Sequence, residues 1–214
     1  MKISLTKAGK RFNRDWIFRN VNYEFTSGNA YAITGPNGSG KSTLLQVIGG
    51  ALMMSEGTLG YQVGVSGNQH QETGNSRLID NLYQHIAIAA PYLDVIEEMT
   101  ATEFLAFHTQ FKPFLPGVAT TQALEVVGLA KAAHKQIRYY SSGMKQRIKL
   151  VQAIFSHVPC VLLDEPCTNL DAEGIALYQQ LINDYCTTRL VIVSSNDIQE
   201  YGFCKEKISI LDYK

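Results

Sequence analysis

A glycine-rich loop between a strand-like and a helix-like stretch constrains this chain more than any other feature. Residues 35–43 read Gly35-Pro36-Asn37-Gly38-Ser39-Gly40-Lys41-Ser42-Thr43, which matches the pattern G-x-x-x-x-G-K-[ST]. Glycines allow backbone conformations in which several N–H groups point into one concavity, and the following helix adds the positive end of its dipole. The Lys41 ammonium then reaches the β- and γ-phosphates of a nucleotide, and the Ser42 hydroxyl reaches Mg²⁺. The loop therefore predicts a nucleotide phosphate site.

Two adjacent carboxylates end a second apolar stretch. Residues 161–163 are Val-Leu-Leu, typical of a strand in a parallel sheet covered on both faces, and Asp164 and Glu165 follow them. A carboxylate at the carboxyl end of such a strand lies beside the phosphate loop, where Mg²⁺ needs a second anchor. We therefore expect Asp164 to hold the metal ion, directly or through water. Glu165, one residue further on, is expected to polarise the water that attacks the γ-phosphate.

A second anion-binding helix start is predicted between these two motifs. The run is Tyr140-Ser141-Ser142-Gly143-Met144-Lys145-Gln146-Arg147, and it opens a helix with apolar positions at Ile148, Val151, Ile154 and Phe155. Small Ser and Gly residues at a helix start favour anions through free N–H groups and the helix dipole. Both sites could serve a single nucleotide if two subunits face each other and each completes the site of the other.

Taken together, these motifs resemble those of the ATP-binding subunits of ABC transporters, over nearly the whole chain. Residues 35–43 resemble the Walker A motif of that family, residues 160–165 its Walker B motif, residues 140–146 its signature motif and residues 168–171 its D-loop. The resemblance implies a homodimer, or a dimer of similar subunits, that encloses two Mg-ATP and drives conformational work in a membrane partner.

The resemblance also implies roles for single residues. Ser141 and Gly143 would contact the γ-phosphate bound to the opposite subunit, and Asp171, which is also placed to cap the helix that follows it, would communicate across the interface. Phe12 stands at the place of the aromatic residue that stacks on adenine in the family. Trp16 is close enough in sequence to compete for that role.

Two positions depart from the family's pattern. A glutamine that touches Mg²⁺ usually precedes the helical lobe, but residues 88–93 contain none, and Gln84 is misplaced. The family's switch histidine is also absent, since Asn196 stands at its place after residues 190–193, which we predict as the last core strand. An asparagine amide donates a hydrogen bond to a phosphate oxygen but carries neither a proton nor a charge. Hydrolysis is still expected, with its rate and its coupling to a partner affected.

The composition of the chain excludes some classes of binding partner. The chain has 214 residues, of which 45% are hydrophobic, and 19 basic residues balance 19 acidic ones. A chain without excess positive charge is not expected to bind nucleic acid. The sequence has no apolar run long enough to span a bilayer. We expect a cytoplasmic position, peripheral on the inner face of the cell membrane, with a transmembrane permease subunit on another chain. The four cysteines lack C-x-x-C spacing and are expected to be reduced thiols.

The alternation of strand-like and helix-like stretches predicts the fold. We expect an α/β fold: a P-loop NTPase core with a mixed or parallel sheet, an N-terminal antiparallel β subdomain and an inserted α-helical lobe. Residues 1–214 would form one ATP-binding domain. Within it, residues 1–90 would hold the phosphate loop and the antiparallel part, residues 91–140 the helical lobe, and residues 141–214 the signature helix, the Walker B strand and the C-terminal α/β part.

Two stretches carry predictions of their own. From Gly57 to Tyr83 the chain is rich in Gly, Gln, Asn and Ser, which predicts short antiparallel strands and a mobile loop around residues 66–77. Residues 92–96 are largely apolar for a stretch near a loop and are bordered by three carboxylates, Glu97, Glu98 and Glu103. We expect residues 92–96 to dock a helix of the membrane partner; the alternative is that they pack the core of the lobe.

The sequence thus predicts an ATP-binding and ATP-hydrolysing subunit that powers a separate membrane protein. Two alternatives stay open. One is a soluble, non-transport ABC ATPase acting on a ribosome or on DNA, although the tandem domains or long coiled-coil insertions usual in such proteins are missing from this sequence. The other is a nucleotide-dependent binding module with weak hydrolysis, against which Glu165 argues.

Overall fold

Strands and helices alternate along the chain, in a computed structural model that describes residues 1–63 and 81–214. The strands are β1 (Lys2–Phe12), β2 (Asp15–Thr26), β3 (Ala30–Thr34), β4 (Glu56–Gln62), β5 (Ile86–Ala89), β6 (Cys160–Asp164), β7 (Leu190–Ser194) and β8 (Glu206–Ser209). The α-helices are α1 (Lys41–Ile48), α2 (Ala101–Phe111), α3 (Thr120–Val126), α4 (Ser142–Ile154), α5 (Ala172–Tyr185) and α6 (Ile198–Tyr201).

The strands that precede the predicted site residues lie in one parallel sheet of order β5-β6-β7-β3-β8. Strands β6 and β7 are buried along their whole length, as a sheet covered by helices on both faces requires. Ser194 pairs with Asp164 on one side and with Ile33 on the other. The carboxyl ends of β6, β7 and β3 therefore meet at one edge of the sheet, as predicted for this α/β fold.

An antiparallel sheet of order β2-β1-β4 packs beside the parallel sheet and confirms the predicted N-terminal β subdomain. Its first two strands form a hairpin in which Phe12 pairs with Asp15. Asn13 closes the turn with a φ of 54°, a conformation that Asn tolerates better than most residues. Register shifts between Leu5 and Arg11 interrupt the regular pairing of β1 with β2.

The helices predicted after the Walker A, signature and D-loop motifs are present. Helix α4 starts at a cap in which the Ser141 hydroxyl accepts a hydrogen bond from the Met144 N–H at 3.2 Å. Helix α5 starts at Asp171, whose carboxylate accepts from the Gly174 N–H at 2.9 Å. Both helices bury the apolar face that their sequence pattern predicts, namely Ile148, Val151 and Ile154 in α4 and Tyr178, Leu181 and Ile182 in α5.

Helices α2 and α3 form the inserted lobe. Helix α2 begins at Ala101, after a capping box in which Thr100 and Glu103 exchange hydrogen bonds, so residues 91–100 precede the helical part. The lobe shares a hydrophobic core with α4 and β6, to which it contributes side chains such as Phe104 and Leu124.

One prediction for the C-terminal third is wrong. Residues 190–193 are not the last core strand, because β8 follows and pairs with β3 at the edge of the parallel sheet. Strand β8 has four residues, of which Ile208 alone is fully buried, while Glu206 and Lys207 are exposed. Such a short strand carries too little periodicity to be recognised in the sequence.

Three further predictions concern the rest of the chain. Between Gly57 and Tyr83, an antiparallel strand is present as β4, and the loop predicted at residues 66–77 lies outside the described residues. All four cysteines are buried and unpaired. Within residues 1–63 and 81–214, no helix combines the length and the apolar character needed to cross a membrane.

Candidate active site

The phosphate loop connects β3 to α1. Its glycines Gly35, Gly38 and Gly40 have φ angles of 147°, 74° and 102°, a region that side-chain-bearing residues rarely adopt. A Cβ atom on Gly40 would also collide with the side chain of Ile17 in β2. Glycine at position 40 is therefore required both by its backbone angles and by the close approach of β2. It also leaves the N-terminal end of α1 without a side chain at position 40.

Two lysines hold this loop. Lys41 is 4% exposed, and its Nζ donates a hydrogen bond to the carbonyl of Pro36 at 3.2 Å, which turns the ammonium back across the loop. Lys214 donates to the carbonyls of Ser39 at 2.6 Å and Ile17 at 2.8 Å, so it joins the loop to β2. Sequence reasoning missed Lys214, because no motif relates the end of the sequence to the loop.

Asp164 lies beside the first turn of α1. It is 2% exposed, and no hydrogen-bond partner for its Oδ1 is found among the described residues. Burial raises the pKa of Asp164, while the hydroxyls of Ser194 and Ser42 and the Lys41 ammonium oppose that rise. A buried carboxylate oxygen with a free lone pair, next to a serine hydroxyl, is a donor set suited to Mg²⁺. The two residues predicted to hold the metal, Ser42 and Asp164, are thus close together and fit that ion.

Glu165 occupies a strained turn directly after β6. Its φ of 42° lies in the left-handed region, which is uncommon for a residue other than glycine. The Glu165 N–H donates to the Ser194 carbonyl at 2.9 Å, and the Thr168 hydroxyl donates to the Glu165 carbonyl at 2.8 Å. These contacts hold a half-buried carboxylate at the edge of the sheet, where it remains accessible to water.

Asn196 lies over the phosphate loop. Its Nδ2 donates a hydrogen bond to Oδ1 of Asn37 at 3.1 Å, across 159 residues of sequence. The turn after β7 therefore meets the turn after β3, and Asn196 lies beside Asn37 of the phosphate loop.

The signature motif is separate from the phosphate loop of the same chain. Ser141 is exposed, and no hydrogen bond or ion pair between described residues joins it to residues 35–43. Gly143 instead meets the D-loop, since a Cβ on it would lie 2.9 Å from the carbonyl of Asn169. The exposed Asp171 caps α5 and lies 3.8 Å from the Arg147 guanidinium. The contacts of these residues are thus with the D-loop and with the starts of α4 and α5.

The two candidate adenine-stacking residues differ in what covers their rings. Phe12 is 46% exposed at the end of β1, with the Lys10 ammonium 4.9 Å from its ring centroid. The half-buried Trp16 ring lies 5.6 Å and 4.6 Å from the guanidinium groups of Arg11 and Arg19. Phe12 therefore keeps more of its ring available for stacking than Trp16 does.

The segment that lacks the family's glutamine carries Tyr92, which is 45% exposed and lies near Gln46 and Asp164. Burial raises the pKa of Tyr92 to about 12, with a further rise from the Asp164 carboxylate, and a hydrogen bond with the Gln46 side chain opposes the rise. Gln46 lies one helical turn after Ser42 in α1. The sequence analysis places Tyr92 in the docking stretch and does not predict its proximity to Gln46, because that proximity depends on how the segment after β5 folds back.

A phosphate loop between β3 and α1, at the edge of a parallel sheet that also carries a buried aspartate, defines a P-loop nucleotide-binding domain. The family described as ABC transporter matches residues 18–168, and the chain belongs to this family. It is one of the family's ATP-binding subunits and an ATPase.

A curated relative agrees with this assignment, and solved structures share the fold. The chain is 30% identical over 210 residues to the cytochrome c biogenesis ATP-binding export protein CcmA of Rhizobium meliloti (strain 1021), covering 97% of this chain and 96% of the relative. A putative ABC transporter ATP-binding protein from Pyrococcus furiosus superposes with a TM-score of 0.78 at 18% identity, over 100% of both chains. The dimeric, post-hydrolysis ATP-binding cassette MJ0796 bound to ADP and Pi superposes with a TM-score of 0.76 at 22% identity, over 97% of this chain and 93% of that one.

The close approach of Gly143 to the D-loop leads to a prediction. Gly143→Ala is expected to destabilise the fold by about 1–3 kcal/mol, because the added methyl group forces the start of α4 away from the Asn169 carbonyl. The melting temperature would fall by roughly 2–10 °C. Ser142→Ala, at the exposed neighbouring position, is the matched control and is expected to melt like the parent. An unchanged melting temperature for Gly143→Ala would contradict the close approach.

Proposed function

We propose that this subunit binds Mg-ATP at the phosphate loop and closes against a second subunit to power a membrane-spanning partner. The observation that carries the proposal is the buried, unpartnered Oδ1 of Asp164 next to Ser42 and Lys41. Burying a carboxylate in this way is costly unless a cation or a donor completes its coordination. Residues 1–214 act in this proposal as one ATP-binding domain, with residues 91–140 as its helical lobe.

Binding of the nucleotide is assigned to the loop and to one aromatic ring. The backbone of residues 35–43, which includes Gly35, Asn37, Gly38, Ser39, Gly40 and Thr43, surrounds the phosphates with N–H groups, and Lys41 adds its charge. Ser42 and Asp164 hold Mg²⁺, and the Phe12 ring stacks on adenine.

Hydrolysis is assigned to Glu165 and Asn196. The Glu165 carboxylate polarises the attacking water and accepts its proton. The Asn196 amide donates a hydrogen bond to the γ-phosphate and orients it. Mg²⁺, when bound, neutralises the negative charge that develops on the phosphate oxygens.

A second subunit completes the site in this proposal. No hydrogen bond or ion pair between described residues joins Ser141, Gly143 or Asp171 to the phosphate loop of their own chain, and Ser141 and Asp171 are exposed at the surface. Dimerisation would bring the N–H groups and the dipole at the start of α4 to the γ-phosphate of the other subunit. The dimeric MJ0796 cassette supports this arrangement.

The membrane partner is proposed to dock on the segment between β5 and α2. Leu93 and Ile96 are 40% and 39% exposed, whereas Val95 between them is buried in the core of the lobe. The predicted acidic border is largely used within the chain, because Glu97 pairs with Lys145, Glu98 pairs with Arg138 and Glu103 caps α2. Docking would therefore depend on apolar contact. Such a subunit would lie peripherally at the cytoplasmic face of the membrane, and the names of the CcmA relatives favour an export system.

The test of the hydrolytic site is Glu165→Gln. This variant is expected to bind ATP like the parent but to lower kcat by a factor on the order of 10² or more, because an amide does not accept the proton of the attacking water. An ATP-bound dimer should then accumulate in size-exclusion chromatography. Glu173→Gln, at an exposed carboxylate in the first turn of α5, is the matched control. Turnover of Glu165→Gln within about threefold of the parent would show that another group acts as the base.

Asn196 leads to a prediction about pH. The amide does not titrate, so kcat should show no inflection that depends on position 196 between about pH 6 and 8. Asn196→His should introduce such an inflection or raise kcat, because a histidine at this place can carry a proton to the γ-phosphate. The measurement is kcat against pH for both proteins. Superimposable profiles would mean that position 196 does not face the γ-phosphate.

Docking is tested with Leu93→Asp combined with Ile96→Asp. Both side chains are partly exposed, so the variant is expected to fold and to bind ATP, yet to lose co-purification with the membrane partner, because charge is excluded from an apolar interface. Tyr92 is left unchanged because it lies near Asp164. Leu211→Asp, at another exposed apolar position, is the control. Retained co-purification of the double variant would place the docking surface elsewhere.

A further inference from the structure

A buried carboxylate lies behind the two turns that carry Glu165 and Asn196. Glu200, in the short helix α6, is 5% exposed. One of its carboxylate oxygens accepts a hydrogen bond from the Cys167 N–H at 2.7 Å. The Ser195 hydroxyl, which accepts a hydrogen bond from the Asp197 N–H at 2.9 Å, lies near this carboxylate.

These two contacts connect separate parts of the chain. Cys167 is two residues after Glu165, in the turn that follows β6, and Ser195 directly precedes Asn196, in the turn that follows β7. The two turns also meet through the hydrogen bond from the Glu165 N–H to the Ser194 carbonyl. The carboxylate of Glu200 therefore bridges the turn that carries the proposed base and the turn that carries the proposed phosphate contact.

Burial of the Glu200 carboxylate costs free energy. It is buried close to two other carboxylates, those of Asp197 and Glu165, and no ion pair of Glu200 is found in the described part of the chain. An isolated buried charge is retained only where hydrogen-bond donors compensate for lost hydration. Here the Cys167 N–H is the donor that compensates.

The main chain of Glu200 has a contact of a different kind. Its carbonyl accepts a hydrogen bond from the Tyr178 hydroxyl in α5 at 2.8 Å. This bond anchors α6 to α5 and touches neither of the two turns. The side chain and the carbonyl of the same residue thus provide one contact directed at the site and one that only supports the fold.

We propose that Glu200 is a positioning residue for hydrolysis, whose carboxylate fixes the turns of Glu165 and Asn196 relative to each other. The inference rests on the proposed function, in which those two residues act on the attacking water and the γ-phosphate. A displacement of catalytic groups by about 1 Å is enough to cost on the order of 10² in rate, so a bridge between the two turns matters for kcat. Nucleotide binding, which is assigned to the phosphate loop, should not depend on the bridge.

The experiment compares two substitutions of Glu200 in the full chain. Glu200→Met leaves the Cys167 N–H without its partner and removes the carboxylate near the Ser195 hydroxyl, and it is expected to lower kcat about tenfold or more while the Kd for ATP stays within about twofold. Glu200→Gln keeps an oxygen that accepts from Cys167 and an amide that donates to the Ser195 oxygen, so its kcat should stay within about threefold of the parent. Tyr178→Phe, the control, should lower the melting temperature and leave kcat within about twofold.

Each outcome separates positioning from simple support of the fold. If Glu200→Met and Tyr178→Phe lower kcat equally, or if Glu200→Gln is as slow as Glu200→Met, the proposal is overturned. Should Glu200→Met fail to fold, Ser195→Ala removes one half of the bridge: a several-fold loss of kcat with unchanged ATP affinity supports the proposal, and parental kcat overturns it. Failure of the proposed function is distinguishable, because it appears as full turnover of Glu165→Gln in a protein whose Glu200 is intact.

Discussion

The register between β6, β7 and β3 is the constraint on which the site depends. Ser194 pairs with Asp164 on one side and with Ile33 on the other, and its carbonyl accepts the N–H of Glu165. The side chains of a strand alternate between the two faces of a sheet, so a slip of one residue would turn Asp164 away from α1. Backbone pairing therefore brings together the phosphate loop, the Asp164 carboxylate and the turn of Asn196. Contacts between their side chains are not needed for this.

The charged groups at this edge of the parallel sheet are arranged to bind one anion and one cation, neither of which is part of the chain. Asp164 is buried with one oxygen free, and the buried Lys41 ammonium turns back across a loop of N–H donors. Hydrogen-bonding groups held in place in this way do not have to reorganise when charge develops on a phosphate, which is the main source of electrostatic stabilisation in such sites. The left-handed φ of Glu165 costs conformational free energy. Hydrogen bonds at its N–H and at its carbonyl hold the turn in this conformation.

The order of residue types along the chain is enough to predict those parts of the fold that depend on neighbouring residues. The phosphate loop, β6 with its two carboxylates, and the cap of α5 at Asp171 all have a recognisable order of residue types. Strand β8 was missed because it is short and half polar. The contacts of Lys214, Tyr92 and Glu200 were missed for another reason: each of these residues acts on a group that is distant in sequence, and only the folded chain shows which carbonyl, carboxylate or N–H group it reaches.

The two stretches in which this chain departs from its family's pattern carry neutral side chains, Tyr92 and Asn196. Burial and the Asp164 carboxylate raise the pKa of Tyr92 to about 12, so its hydroxyl keeps its proton near neutral pH, and the Asn196 amide does not titrate. In the proposed function, neither group could strengthen a contact with the nucleotide by gaining a charge. A neutral hydrogen bond is weaker than a charge-assisted one and depends more on alignment. In the proposed site the rate depends on the placement of Glu165 and Asn196, and Glu200, whose carboxylate accepts the Cys167 N–H and lies near Ser195, would maintain that placement.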